Sequence, residues 1–213
     1  MRRLLTNFSI NGPDFDAMPG KLKACLDEVP MDCDWSAVIN GNEDDTLAAV
    51  LVPLIWRESD WQILMTKRAA HLQHHAGQIS FPGGKLDPTD AGPIAAALRE
   101  ANEEISLAPS MVEVMGGLSP VRSPVGFIVQ PVVGIIVRDI FDNLLPDPAE
   151  VESIFTLPLA HIAQPCNFTL VPRKATERDN EYWVVSHPRY HIWGLSARVL
   201  NDLHQRLFSG RAS

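Results

Sequence analysis

The hydrophobic positions follow two rhythms. Continuous apolar runs, rich in β-branched residues, occupy 47–56, 61–66, 127–137 and 182–185, the pattern of strands covered on both faces. Between the second and third runs, residues 93–107 repeat apolar side chains at helical spacing. Leu195, Val199, Leu200, Leu203 and Leu207 form the stripe of a last amphipathic helix. Residues 1–45 are mixed and turn-rich, with Asn11-Gly12-Pro13, Pro19-Gly20 and Gly41-Asn42, and hold one short helical candidate near 15–28. They are expected to form an N-terminal extension packed on a main domain over 46–213. Strands with interspersed helices predict an α/β or α+β domain, a mixed sheet covered by helices. The nearest thing to a break, Leu145-Pro146-Asp147-Pro148, marks a loop before Glu150 and is too short to separate domains.

Composition narrows the class. A chain of 213 residues, 46% hydrophobic and 21% charged, can build a core without disulfide or metal staples. Three cysteines, Cys25, Cys33 and Cys166, make an odd number with no Cys-x-x-Cys pair, which argues against a disulfide framework or a thiolate zinc site. With no apolar stretch of the ~18 residues that span a bilayer, a cytoplasmic, reducing location is expected. The net charge of −8 offers no cationic field for nucleic acid or an anionic membrane, so neither is an expected partner. That average hides a reversal. Residues 61–86 contain no Asp or Glu but carry Lys67, Arg68 and Lys85 beside His71, His74 and His75, whereas 87–104 set Asp87, Asp90, Glu100, Glu103 and Glu104 against Arg99 alone.

In the helix after Gly92, Pro93 suits the first helical position and Gly92 or Asp90 can cap it. Counting about 100° per residue from Ile94, the side chains Ile94, Ala97, Leu98, Ala101 and Ile105 fall on one face, while Glu100, Glu103 and Glu104 fall on the opposite one. Carboxylates three and four apart repel, and no lysine shares their face. A solvated acidic surface is the ordinary explanation; the chemical one is a hard divalent cation, Mg²⁺ or Mn²⁺, held by oxygen ligands. The preceding Ser80-Phe81-Pro82-Gly83-Gly84-Lys85 favours the second, since a glycine loop lets backbone approach a ligand closely. It joins an acid-free cationic segment to a helix of clustered carboxylates, an arrangement that could hold a metal-bound pyrophosphate.

Gly84 followed by Arg99-Glu100-Ala101-Asn102-Glu103-Glu104-Ile105-Ser106-Leu107 resembles the Nudix box, the signature of hydrolases that cleave nucleoside diphosphates linked to another moiety. Leu64-Met65-Thr66-Lys67-Arg68-Ala69, with Gly77-Gln78-Ile79-Ser80-Phe81-Pro82-Gly83-Gly84, resembles the further signature of the coenzyme A pyrophosphatase branch. The resemblance implies an α/β/α sandwich around a mixed sheet and a Mg²⁺ or Mn²⁺ cofactor. It makes Glu100 and Glu104 metal ligands, Glu103 a ligand or the group that activates water, the Gly84 carbonyl a further ligand, and Arg99 the residue that orients the glutamates. Glu150 matches a downstream acidic position that ligates metal or acts as base, with Glu152 as the fallback. Lys67, Arg68, Gly83, Gly84 and Lys85 would contact a small, coenzyme A-like nucleotide substrate, and a second copy of the chain is a candidate homodimer partner.

Three departures accompany the resemblance: the box's acidic residue is Asp90 and the spacing from Gly84 to Arg99 is one residue longer than in the general box, Ser106 stands for glycine, and Gln73 stands for an arginine of the branch signature. The last bears on substrate more than on reaction. The reaction implied for coenzyme A yields 3′,5′-ADP and 4′-phosphopantetheine. The alternatives are a Nudix hydrolase of ADP-ribose or another nucleoside diphosphate derivative, and a non-catalytic nucleotide-sensing module. Arg173, Lys174 and Arg178 are a candidate contact for a 3′-phosphate. His71, His74 and His75 have ligand-like spacing but lack a His-Glu-x-x-His frame for zinc.

Overall fold

A computed structural model describes residues 16–29, 45–123, 126–172 and 181–209. In chain order the elements are α1 (Ala17–Cys25), β1 (Thr46–Arg57), β2 (Asp60–Arg68), β3 (Ile79–Ser80), β4 (Gly83–Lys85), α2 (Pro93–Ile105), β5 (Val112–Gly117), β6 (Val121–Arg122), β7 (Phe127–Ile136), β8 (Val151–Pro158), α3 (Leu159–Ile162), β9 (Phe168–Pro172), β10 (Glu181–Val185), β11 (Ile192–Trp193) and α4 (Gly194–Phe208).

Among the described residues β1 to β8 form one mixed sheet, and β9, β10 and β11 form a small antiparallel one. The centre is the pairing of β1 with β7, parallel from Thr46 opposite Phe127 to Ile55 opposite Ile136; the other contacts in the large sheet are antiparallel. The apolar runs are continuous because both faces of the sheet are covered, so successive side chains alternate between two cores. Along β1 and β2, Val52, Leu54, Ile63 and Met65 join Leu22 of α1, Ile162 of α3 and Leu200 and Leu203 of α4. Ala49, Leu51, Ile55 and Leu64 face Ala96, Ala97, Ala101 and Ile105 of α2. This is the helix, sheet and helix sandwich that the resemblance implied.

On its other side β1 changes partner. Its first half pairs with β4 and its second half with β2, and between them the Leu51 N–H donates to the Pro82 carbonyl at 2.8 Å. Pro53 lies two residues farther along, at the seam between the two partners, where a residue with no N–H leaves no ladder bond unmade. The seam is what admits the glycine strand into the sheet. Gly83 has φ +153°, and a Cβ there would strike the Ala49 carbonyl oxygen and lie 2.6 Å from the Val50 Cα.

The predicted strands all form, and β2 continues past Thr66 through Lys67 and Arg68. The apolar pattern missed β5, β8 and β9 and the short β3, β4, β6 and β11; β8 is an edge strand whose Val-Glu-Ser-Ile-Phe-Thr-Leu-Pro keeps polar residues at its open positions. Helix α2 ends at Ile105 and not at Leu107, because Ser106 turns left-handed at φ +56°; the Ser106 hydroxyl steadies the turn by donating to the Leu145 carbonyl at 3.3 Å. Of the extension expected over 1–45, α1 inserts Met18 and Leu22 into the core; residues 1–15 and 30–44, with Cys33, lie outside the described residues, as do Arg173, Lys174 and Arg178. No helix among the described residues is long and apolar enough to cross a membrane.

Gly83→Ala should destabilise the protein by roughly 2–4 kcal/mol, since a Cβ at this φ meets backbone that cannot move aside. The shift in the midpoint of denaturant unfolding measures it.

Candidate active site

Three alanines let α2 approach the sheet closely, and β4 lies alongside it without side chains at Gly83 and Gly84. The carboxyl group of Glu100 rests on that bare backbone: a Cβ on Gly84 would lie 2.5–2.7 Å from its atoms. One turn along, Glu104 is 3% exposed. Its Oε2 accepts from the Gly83 N–H at 3.2 Å, and its Oε1 lies 3.6 Å from Nη1 of Arg68.

This corrects the helical-wheel expectation that the three glutamates share a face opposite the packed one. Only Glu103 is open, its side chain 57% exposed. The wheel assumed one covered side, but the sheet and the glycine strand cover α2 from two directions, and Glu100 and Glu104 point to the second. Ile94 and Leu98, assigned to the packed face, are only half-buried.

Burial pushes the Glu104 carboxyl up to about 7; the charges of Glu150 and Glu100 add to the rise, while the Gly83 N–H and Arg68 oppose it. Burial likewise raises Glu100, against the pull of Arg99. Around Glu104 the cationic compensation is incomplete, because Arg68 stands beyond hydrogen-bond distance. The buried Arg68 Nε has no hydrogen-bond partner among the described residues.

Arg99 organises the other side of the helix. Its Nε and Nη2 donate to the two oxygens of Asp90 at 3.1 and 2.9 Å, and Nη2 also donates to the Lys85 carbonyl at 3.1 Å. Nη1 donates to Glu100 Oε1 at 3.0 Å and to Glu103 Oε2 at 2.9 Å. The forked pair with Asp90 fixes the guanidinium plane and holds the Asp90 carboxyl below its usual range. Asp90 is therefore the anchor of Arg99, while Gly92 takes the N-cap position. The sequence showed Asp90 as an acid of the box but not its partner; the local excess of acid around one arginine was the signal available.

Glu150 is set by the end of the same helix. The carbonyls of Glu104 and Ile105 would lack partners at the helix terminus; they accept from the N–H groups of Asp147 at 2.9 Å and Leu145 at 3.2 Å. The chain then turns through Asp147 and is tied to β2 by the Ala69 N–H, which donates to the Glu150 carbonyl at 2.8 Å. Glu150 is exposed, yet its charge bears on both Glu100 and Glu104. Glu152, the fallback, is engaged elsewhere and accepts from Lys67 Nζ at 2.6 Å. Lys85 is exposed, with its ammonium 5.6 Å from the centre of the Phe127 ring.

Glu100, Glu104, Arg68, Gly83 and Gly84 thus come together, with Arg99 and Glu103 adjoining. Lys67 is paired off with Glu152. As the side chains stand, no three His, Cys, Asp or Glu groups among the described residues converge to hold a metal ion: Glu100 and Glu103 meet at Arg99 and not opposite Glu104. His71, His74 and His75 lie in turns, where His71 contacts the Ala149 carbonyl at 3.2 Å and His75 the Gln78 side chain at 3.0 Å.

A mixed sheet between helices, with a glycine strand laid against an Arg-Glu-x-x-Glu-Glu helix, defines the class. Residues 45–178 match the NUDIX domain family, and the chain belongs to that family. It is 42% identical over 156 residues to the uncharacterized Nudix hydrolase NudL of Enterobacter sp. (strain 638), covering 73% of this chain and 80% of the relative. It is 44% identical over 158 residues, with the same coverage, to the NudL protein of Salmonella newport (strain SL254). The solved structure of a Nudix hydrolase from M. Smegmatis, RenU, superposes with a TM-score of 0.47 and 20% identity, over 55% of this chain and 73% of that one.

Because Glu104 is held near 7 in the folded state against an ordinary value of 4.5, folding binds a proton, and ionised Glu104 costs stability. The cost is absent below about pH 4.5, grows as the pH rises towards 7 and is complete above it, at up to about 3 kcal/mol. In cation-free buffer Glu104→Gln should therefore be more stable than the native chain at pH 8, with the difference vanishing near pH 4; denaturant titrations at the two pH values measure it.

Proposed function

We propose that this chain hydrolyses the diphosphate linkage of coenzyme A or its derivatives in a metal-dependent reaction, releasing 3′,5′-ADP and 4′-phosphopantetheine. Family membership and the shared name of the curated relatives support the coarser reading, a pyrophosphohydrolase acting on a nucleoside diphosphate derivative. The observation that carries the finer one is the meeting of both branch-signature segments at one carboxylate: Arg68 from the first and Gly83 from the second each face Glu104.

The residues suit a divalent cation. Glu100 and Glu104 are hard oxygen donors crowded against the bare backbone of Gly83 and Gly84, and burial with mutual repulsion disfavours their charge until a cation offsets it. Glu100, Glu104 and the Gly84 carbonyl would hold it. When bound, it supplies positive charge against the diphosphate oxygens and acidifies water. Arg99 keeps Glu100 and Glu103 at fixed positions, so a proton acceptor and a ligand move together if either moves. Glu103, the exposed carboxylate of the three, takes the proton from the attacking water; Glu150 is the other group able to do so. Arg68 beside Glu104 and Lys85 at the rim are the cations available to phosphoryl oxygens, and Lys67 would join them on leaving Glu152.

Gln73, exposed where the branch signature has arginine, favours a second reading in which ADP-ribose or another nucleoside diphosphate derivative is preferred.

Incubating the purified protein with Mg²⁺ or Mn²⁺ and a panel of coenzyme A, acyl-coenzyme A, ADP-ribose, NADH and diadenosine polyphosphates should give 3′,5′-ADP and 4′-phosphopantetheine from coenzyme A most rapidly. Preferential cleavage of ADP-ribose would establish the second reading, and binding without cleavage of any substrate would mark a sensing module. Glu103→Gln and Glu104→Gln should each lower kcat by about a hundredfold or more with the fold intact, the scale on which loss of a general base or a charge-stabilising group is felt; a near-native rate in both would defeat the assignment.

A further inference from the structure

The glycine strand that carries Gly83 and Gly84 begins from β3, which has β2 on one side. In an antiparallel ladder successive residues point their backbone groups alternately toward and away from the partner. The Gln78 carbonyl accepts from the Arg68 N–H at 2.9 Å, and Ser80 meets Thr66, whose Oγ1 donates to the Ser80 carbonyl at 3.2 Å. The Ile79 carbonyl between them therefore turns away from β2. It is met from the other side by α4, where the Ser196 hydroxyl donates to it at 2.9 Å in a buried contact.

Ser196 is 6% exposed and sits in the first turn of α4. It lies outside residues 45–178, which match the family, and 117 positions from its partner. The rest of α4 is bound by equally specific contacts. The Asp202 carboxylate accepts from the Ser119 N–H at 2.9 Å, and His204 Nδ1 pairs with the Ile162 carbonyl at 2.7 Å. Arg206, almost fully buried, donates to the Cys25 carbonyl at 3.0 Å and pairs with Asp27 at 2.7 Å. The helix is thus held at its middle and its end, which leaves Ser196 as a fixed point from which the β3 backbone can be set.

We infer that Ser196 is a positioning residue for the active site, which, acting through the Ile79 carbonyl, sets the register of the segment leading into Gly83 and Gly84. This rests on the hydrolase reading above. Ile79 and Phe81 are also buried beside Ala197 and Leu200 of α4, but apolar contact is non-directional and tolerates sliding, whereas the hydrogen bond has a narrow optimum of distance and angle. Gly83 must present its N–H to Glu104, and Gly84 must leave room for the Glu100 carboxyl. A shift of the strand by a fraction of an ångström would disturb both.

Ser196→Ala removes the donor at nearly constant volume in a residue that favours helix, and Ser196→Thr keeps it. Ser196→Ala should lower kcat roughly ten- to a hundredfold, the cost of slight misplacement of reacting groups, with KM changed less than twofold, and Ser196→Thr should recover most of it. Independently of activity, amide hydrogen exchange over residues 79–85 should rise about tenfold or more in Ser196→Ala, while β1 and β7 keep their protection. Unchanged exchange over 79–85, or a uniform rise across the sheet, would overturn the inference, as would unaltered kinetics in an active enzyme. If the native chain cleaves no substrate, the hydrolase reading fails and the exchange measurement alone decides whether Ser196 sets the strand. Ser196→Cys, a similar-sized and weaker donor, gives the same comparison if Ser196→Ala does not fold.

Discussion

Helix α2 and the glycine strand β4 lie so close that the Glu100 carboxyl fills the volume where a side chain on residue 84 would stand. The rest of the site follows from that approach. It requires alanines at 96, 97 and 101 where the helix meets the sheet, and it requires the seam in β1 at which β4 enters. It also brings the backbone N–H of Gly83 within reach of Glu104. A side chain at position 84 would occupy the space of the Glu100 carboxyl and hold the helix away from the strand.

The approach has an energetic consequence. Acidic groups that water would otherwise solvate are drawn onto a polar but sparsely donating surface, where one N–H and a distant guanidinium replace a hydration shell. Protonation relieves part of this, which is why Glu104 is held near 7. Arg99 relieves another part, but only for Glu100 and Glu103, and its own fork is committed to Asp90. Ionised Glu104 therefore lacks full cationic compensation. Local stability is surrendered where a cationic ligand would restore it, a frequent feature of functional sites.

The two faces of the sheet divide the work. On one, α2 carries the acids, and its terminal carbonyls place the loop of Glu150. On the other, α1, α3 and α4 close the second core. Groups from both faces reach the same segment at β3 and β4. There Leu51, Thr66 and Ser196 each bond the short stretch from Ile79 to Pro82, so strands and helix together fix the segment that leads into the glycines.

Four of the strands, the site helix and the last helix could be read from the apolar pattern alone, because a strand covered on both faces is apolar throughout and a helix covered on one side repeats its own period. The candidate chemistry was legible for a similar local reason: Gly83-Gly84 and the Arg99–Glu104 cluster are contiguous, and their charges and missing side chains are visible in the chain. What escaped was set by contacts between distant segments. Strand β8 takes its place from pairing with β2, and Lys67 is engaged by a glutamate 85 positions away. The exposure of each glutamate followed the same rule: a helical wheel gives the angle of a side chain about its own axis but not how many neighbours surround that axis. Glu100, Glu103 and Glu104 lie within one and a half turns, yet one is buried, one half-covered and one open, because β4 covers the helix on a side that α2 itself does not encode.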